Sequence, residues 1–284
     1  QKNSFLIFPH NPVDLPWVYS ILKTPPIQFW IQNEILYNGQ TKNCKLSELR
    51  LAPIVDLTRV PISMVHDSLE FLGKEKPDEA KLKDWACNPN LSVHEQQAKF
   101  VALAKRYSTL ERLVNRYEPL FIQPVPNVFE LRADTITEFY PISLLMPISQ
   151  LPEAKVQYIG REKAKTFAEN WIISDCHSTH LKLHEKLCSQ ITLFTNQGAA
   201  IELIVPQSIG HYVYQQIQAL KMKTWGEILG LLKVPQDPNL FVLQATEITK
   251  VFSQTRQELQ TCHAIITELS IYLFDIEPEA RQFL

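Results

Sequence analysis

A chain of 284 residues with 45% apolar and 20% charged content can bury a proper core, as one large domain or as two modest ones. Its formal net charge of −2 gives no global attraction to nucleic acid or anionic lipid, so a nucleic-acid role would need a local basic patch. Seven scattered glycines cannot assemble GxGxxG or GxxxxGKS phosphate cradles, and no apolar run approaches the ~20 residues of a membrane span, so no membrane insertion is expected.

The five cysteines, Cys44, Cys87, Cys176, Cys188 and Cys262, are odd in number and form no CxxC pair. Free thiols in a reducing cytoplasm are therefore expected. The start lacks the basic end and apolar core of a signal peptide, and its opening on Gln1 rather than Met fits a trimmed upstream segment.

Pro9, Pro12, Pro16, Pro25 and Pro26 punctuate the lead-in, with a short helix over Trp17 to Leu22 and a second from Ile27 to about Tyr37, ended by Asn38-Gly39. The run Ile54-Val-Asp-Leu-Thr-Arg-Val-Pro-Ile-Ser-Met-Val-His-Asp-Ser-Leu69 resembles the helix-turn-helix of winged-helix transcription regulators, with Ser63 to His66 similar to the start of a recognition helix. The resemblance implies a helix laid in the major groove and a DNA-binding regulator. Ser63, His66 and Asp67 offer no Arg or Lys to guanine or phosphate, and Arg59 stands at the usual turn glycine. Duplex binding is accordingly expected to be weak or nil.

Gly73 to Asn90 reads as an exposed, charged connection. Ser92 with Glu95 forms a capping box that opens a helix to about Tyr107, and a further helical piece ends near Pro119. Lys105, Arg106, Arg112 and Arg116 on these pieces read as a solvated face. Beyond Pro119 prolines recur at 124, 126, 141, 147 and 152, which predicts short edge strands with rigid turns. A helix is expected from about Glu162 to His184. The clearest hairpin follows, with strands at Gln190–Thr195 and Ala200–Val205 around Asn196-Gln-Gly198.

The most legible element is the last helix, Pro238 to about Phe274, with Asp237 as N-cap and Pro278 barring continuation. Phe241, Ala245, Ile248, Phe252, Thr255, Leu259, Cys262, Ile266, Leu269 and Leu273 follow in alternating steps of four and three along one face. At 1.5 Å per residue such a helix runs roughly 50 Å.

These elements predict an α+β, predominantly helical protein with a small antiparallel β layer between N- and C-terminal helical parts and a long C-terminal helix. Residues 1–118 form a helical part with the helix-turn-helix-like pair, 119–206 a small part with the hairpin, and 207–284 a helical part.

Two groups of residues are candidates for function. Phe252, Leu259 and Ile266 on the long seam are candidate partner-binding residues, shared between packing within the fold and a protein partner or a second copy. His180, His184 and Cys188 recur every four residues after Cys176 and His177, so they share a face of the expected helix and offer a ligand set for zinc. The segment His184-Glu-Lys-Leu-Cys188 resembles the zincin HExxH pattern, departing from it at Cys188. Histidines on a half-exposed helix face are the ordinary case, and no cofactor is expected. No nucleophile elbow or oxyanion turn is present, so no catalytic residue is assigned. The leading expectation is a non-catalytic cytosolic interaction subunit, an adaptor or scaffold of a larger assembly, with a bacterial one in view. The alternatives are a winged-helix-like DNA-binding regulator and a metal- or thiol-dependent enzyme using the Cys176 to Cys188 cluster.

Overall fold

The computed structural model describes residues 12–32, 55, 57, 59–74, 78–122, 129–159, 168–183 and 186–276. The fold is α+β and predominantly helical, with small antiparallel sheets and a long C-terminal helix. The chain divides into two compact units: Gln1–Arg116 with Gln254–Leu284, and Tyr117–Ser253.

The first unit is helical. It contains α1 (Leu15–Leu22), α2 (Pro25–Trp30), α3 (Ile62–Lys74), α4 (Glu79–Ala86) and α5 (Val93–Tyr117). The predicted capping box is present, with Ser92 Oγ accepting from Glu95 N at 3.3 Å while Glu95 accepts from Ser92 N at 2.8 Å. The two helical pieces predicted after Ser92 are one 25-residue helix. Its residues Phe100 to Ala104 are all buried. Burial all round a turn, with alanine at positions 98, 102 and 104 among the buried residues, places this part of α5 in the unit's core. Phe100, Leu103, Tyr107 and Leu110 pack in one cluster with Trp17, Ile21, Leu82 and the second half of the long helix. The second predicted helix is described from Pro25, and its expected end at Tyr37 lies outside the described residues.

The second unit is built on a four-stranded antiparallel sheet in the order β4 (Lys155–Tyr158), β7 (Gly198–Pro206), β6 (Lys186–Thr195), β5 (Asp175–Leu183). The predicted hairpin is its centre, with Ile191 opposite Leu203 and Gly198 at φ +109° closing the turn, a conformation that glycine adopts without a Cβ penalty. Strand β5 replaces the C-terminal part of the helix expected up to His184. A spacing of four is a multiple of two, so His180 and Cys188 satisfy a strand period as well as a helical one. Around the sheet lie β1 (Phe121–Ile122) with β2 (Glu130–Leu131), and β3 (Leu145–Pro147) with β8 (Lys233–Pro235). The proline-rich region predicted as edge strands is mostly short 3-10 turns joined by these two- and three-residue strands, because recurrent proline removes the donors a longer ladder needs.

Helix α6 (Gln207–Ala219) covers the sheet, with Ile209, Val213 and Ile217 buried against Ile191, Leu193, Ile201, Leu203 and Val205. The approach is close because Gly210 has no side chain: a Cβ there would fall 2.0 Å from Ser189 Oγ. Helix α6 belongs to the same core as the hairpin, and the compact unit that holds both runs past the expected boundary at 206. Helix α7 (Trp225–Leu231) starts on a second capping box, Thr224 with Glu227, and buries Trp225 completely.

The long helix α8 (Pro238–Leu273) begins as predicted, with Asp237 Oδ1 accepting from Asn239 N at 2.8 Å and Leu240 N at 3.0 Å. Its first half belongs to the second unit and its second half to the first. Of the seam, Phe241, Phe252, Cys262, Ile266 and Leu269 are buried, and the other five positions are half-buried. Phe252 stacks on Phe121 at 4.4 Å and meets Phe129 edge-on at 5.0 Å. In the first unit Glu258 accepts from Arg106 Nε at 2.7 Å and Glu268 pairs with Lys83 at 2.9 Å.

Ile266→Ala is expected to destabilise the protein by about 3 kcal/mol in denaturant titrations, while exposed Gln257→Ala stays within about 0.5 kcal/mol. Gly210→Ala is expected to cost about 1–3 kcal/mol, because Ser189 must move to admit the methyl group. Equal effects at Ile266 and Gln257 would overturn the assignment of the seam to the core.

Candidate functional site

The strands separate the predicted metal set. His180 pairs with Ser189 across the β5–β6 ladder, and Leu181 pairs with Cys188. Paired residues point to one face and their neighbours to the other, so His180 and Cys188 project from opposite faces of the sheet. They cannot ligate one ion together. The His180 ring instead lies 3.5 Å from Ser189 Oγ, and Cys188 is half-buried with its Sγ 3.9 Å from Lys186 O. His184 lies outside the described residues.

Three thiols are buried away from solvent. Burial pushes Cys87 up to about 12, helped by the charge of Glu268, Cys176 up to about 11 and Cys262 up to about 12. The thiolate is the nucleophile, so at neutral pH these three groups are held in the inert form.

The exposed face of α3 carries Ile62, 86% exposed, with His66, Asp67 and Glu70, whose ligand atoms lie within 4.8 Å of one another. Two carboxylates on this face oppose a phosphate backbone. The first helix of the helix-turn-helix-like pair lies outside the described residues.

The partner candidates on the seam are largely spent on packing. Phe252 and Ile266 are buried in the isolated chain and Leu259 is half-buried against the first unit's core, so the first two offer no surface to a partner.

A different surface is open. In the second unit a groove of about 580 Å3 runs beside the C-terminal half of α6, lined by Ile122, Ala133, Tyr214, Ala219, Leu220 and Leu231. Ile122 is 41% exposed and Leu231 52%. The polar side chains along it are engaged within the fold. Gln215 donates to Leu131 O at 3.1 Å and accepts from Ala133 N at 2.9 Å, which clamps the wall that follows β2. Gln216 donates to Lys233 O at 2.8 Å, and Gln218 donates to Cys176 O and Tyr214 Oη, each at 3.0 Å. At the rim, Arg132 makes a two-pronged pair with Asp134 at 2.9 and 2.6 Å. That hydrogen bonding to Arg132 holds the Asp134 carboxyl below its ordinary range. What the groove offers to solvent is therefore mainly apolar.

No periodic signal marks these residues, since they come from four separate stretches of chain. The run Gln215, Gln216, Gln218 on an otherwise amphipathic helix was the one legible hint, because side-chain amides at a helix rim suit exposed backbone groups. Comparison with protein-family models, curated proteins and solved structures finds no match to this chain.

Thiol reagents at pH 8 on the native protein are expected to modify Cys188 before Cys87, Cys176 and Cys262, as mapped by mass spectrometry. Labelling of Cys176 ahead of Cys188 would contradict the burial described.

Proposed function

We propose that this chain is a non-catalytic protein-interaction subunit that docks a partner segment through the groove beside α6. The observation that carries the reading is the groove's chemistry: aliphatic and aromatic side chains face outward while the adjacent glutamines are committed to internal hydrogen bonds. A surface of that kind gains free energy by excluding water over apolar area and lacks a convergent set of free acid, base and nucleophile. Ile122 and Leu231, half-exposed on opposite stretches of chain, suit a segment that presents two apolar side chains. Free thiols at Cys87, Cys176, Cys188 and Cys262 support a cytoplasmic setting.

The test is selection of peptides from a random display library on the purified protein. Peptides with paired aliphatic or aromatic side chains are expected, and Leu231→Arg should weaken them at least about tenfold without moving the thermal midpoint. Selected peptides that bind Leu231→Arg as well as the parent protein would overturn the reading.

For the face formed by His66, Asp67 and Glu70, no salt-sensitive shift with random duplex DNA is expected at physiological salt. A submicromolar shift, abolished in Arg59→Ala, would instead promote the regulator reading.

A further inference from the structure

Ser20, on the inward side of α1, is 2% exposed, and its Oγ has no hydrogen-bond partner among the described residues. It lines a small cavity in the first unit together with Thr24, Tyr107, His263, Ile266 and Thr267, closed on one side by Lys23. The space open to the centre of a water-sized sphere is about 10 Å3. That is about the room one water needs.

We infer that this cavity is a binding site for a single structural water, which Ser20 holds between α1, α5 and α8. Three features of the cavity converge. First, a buried hydroxyl without a partner costs stability, whereas one bonded to water does not. Second, the lining is polar enough to hold water, which needs two to four partners. Ser20 supplies a donor and an acceptor, and Thr24, Thr267 and His263, residues with polar side chains, line the same space, while the Tyr107 hydroxyl is given to Glu111 at 3.5 Å. Third, the charges around the cavity are already matched. Lys23 Nζ meets Glu111 at 3.0 Å, and Tyr19 donates to the same carboxylate at 3.1 Å. Burial alone would lower the Lys23 ammonium, but its bonds to Tyr19 and Glu111 outweigh that and hold it charged. A fixed cation at the wall excludes a metal ion, and its pairing with Glu111 leaves no charge for an anion to neutralise.

The inference is independent of the proposed docking groove, which lies in the other unit. Its consequence is that α1 is joined to the second half of α8 through a hydrogen-bonded bridge as well as through apolar contact. Ser20→Ala separates the two possibilities by the sign of its effect. With a bound water, the variant deprives that water of its buried partner and lowers stability. With a dry cavity, it deletes an unsatisfied hydroxyl and raises stability. Alanine also favours any helix, so the reference is Ser108→Ala on α5, which gains the same propensity at a half-buried position.

The experiment compares thermal midpoints of the two full-length variants and seeks water–amide cross-relaxation at Ser20 and Thr24 in the parent protein. Expected are a midpoint for Ser20→Ala below that of Ser108→Ala by about 2 °C or more, and a long-lived water signal that is lost in Ser20→Ala. A Ser20→Ala midpoint equal to or above that of Ser108→Ala, or no long-lived water at these amides, overturns the assignment.

Discussion

The contact between Gly210 and Ser189 governs the second unit. A helix that must cover a sheet is normally held off by its own side chains, and at this point α6 has none. Its backbone therefore settles against β6, which brings Ile209, Val213 and Ile217 fully into the core. The same closeness places the rim of α6 within hydrogen-bonding reach of three stretches of chain. Gln215 reaches the end of β2, Gln216 reaches β8 and Gln218 reaches β5. Each bond satisfies a backbone carbonyl, and an unsatisfied buried one would cost about 1–3 kcal/mol. Strands of two or three residues are held only weakly by their own ladders, so Gln215 and Gln216 add bonds to β2 and β8.

The groove follows from that arrangement rather than from a dedicated motif. Once the glutamines are committed inward, the side chains left facing solvent beside α6 are Tyr214, Ala219, Leu220 and Leu231, with Ile122 across from them. The groups singled out for chemistry are placed elsewhere and apart. The raised thiols are protonated at neutral pH, and the separated His180 and Cys188 cannot act on one substrate atom.

Much of the architecture was legible because it rests on local signals. The caps at Ser92 and Asp237, the uninterrupted seam of α8 and the Gly198 hairpin each involve residues within a few positions of one another. Domain organisation was not legible. The step at 206 looked like a boundary because a strand gives way to a helix, yet whether α6 closes the same core depends on Gly210 meeting a serine twenty-one residues earlier in sequence. The merging of two helical pieces into α5 was missed for a related reason. Tertiary packing over Leu110 and Val114 carries the helix past Tyr107, through a stretch whose charged residues read as a solvated face. Apart from the glutamine run on α6, the groove was not legible, since Ile122, Arg132, Tyr214 and Leu231 meet only through the fold.

The histidine cluster has a physical role once it is placed on a strand. The sheet order ends at β5, so among the described residues one side of that strand has no partner in the sheet. A nine-residue edge is a template for pairing with another chain, and its danger grows with apolar content. Along β5 the exposed residues are His177, Ser178, Thr179, His180 and Lys182, while the apolar Cys176 is turned into the core. Asp175 at one end is tied to Lys221 at 2.8 Å, which fixes the strand's start to the chain just beyond α6. Polar and cationic side chains at these positions raise the cost of laying a second strand alongside, because it would have to desolvate them. His177 and His180 are thus accounted for as part of the hydrated border of a sheet. That account requires no ion, and it predicts nothing special of Cys188 beyond its place on the opposite face.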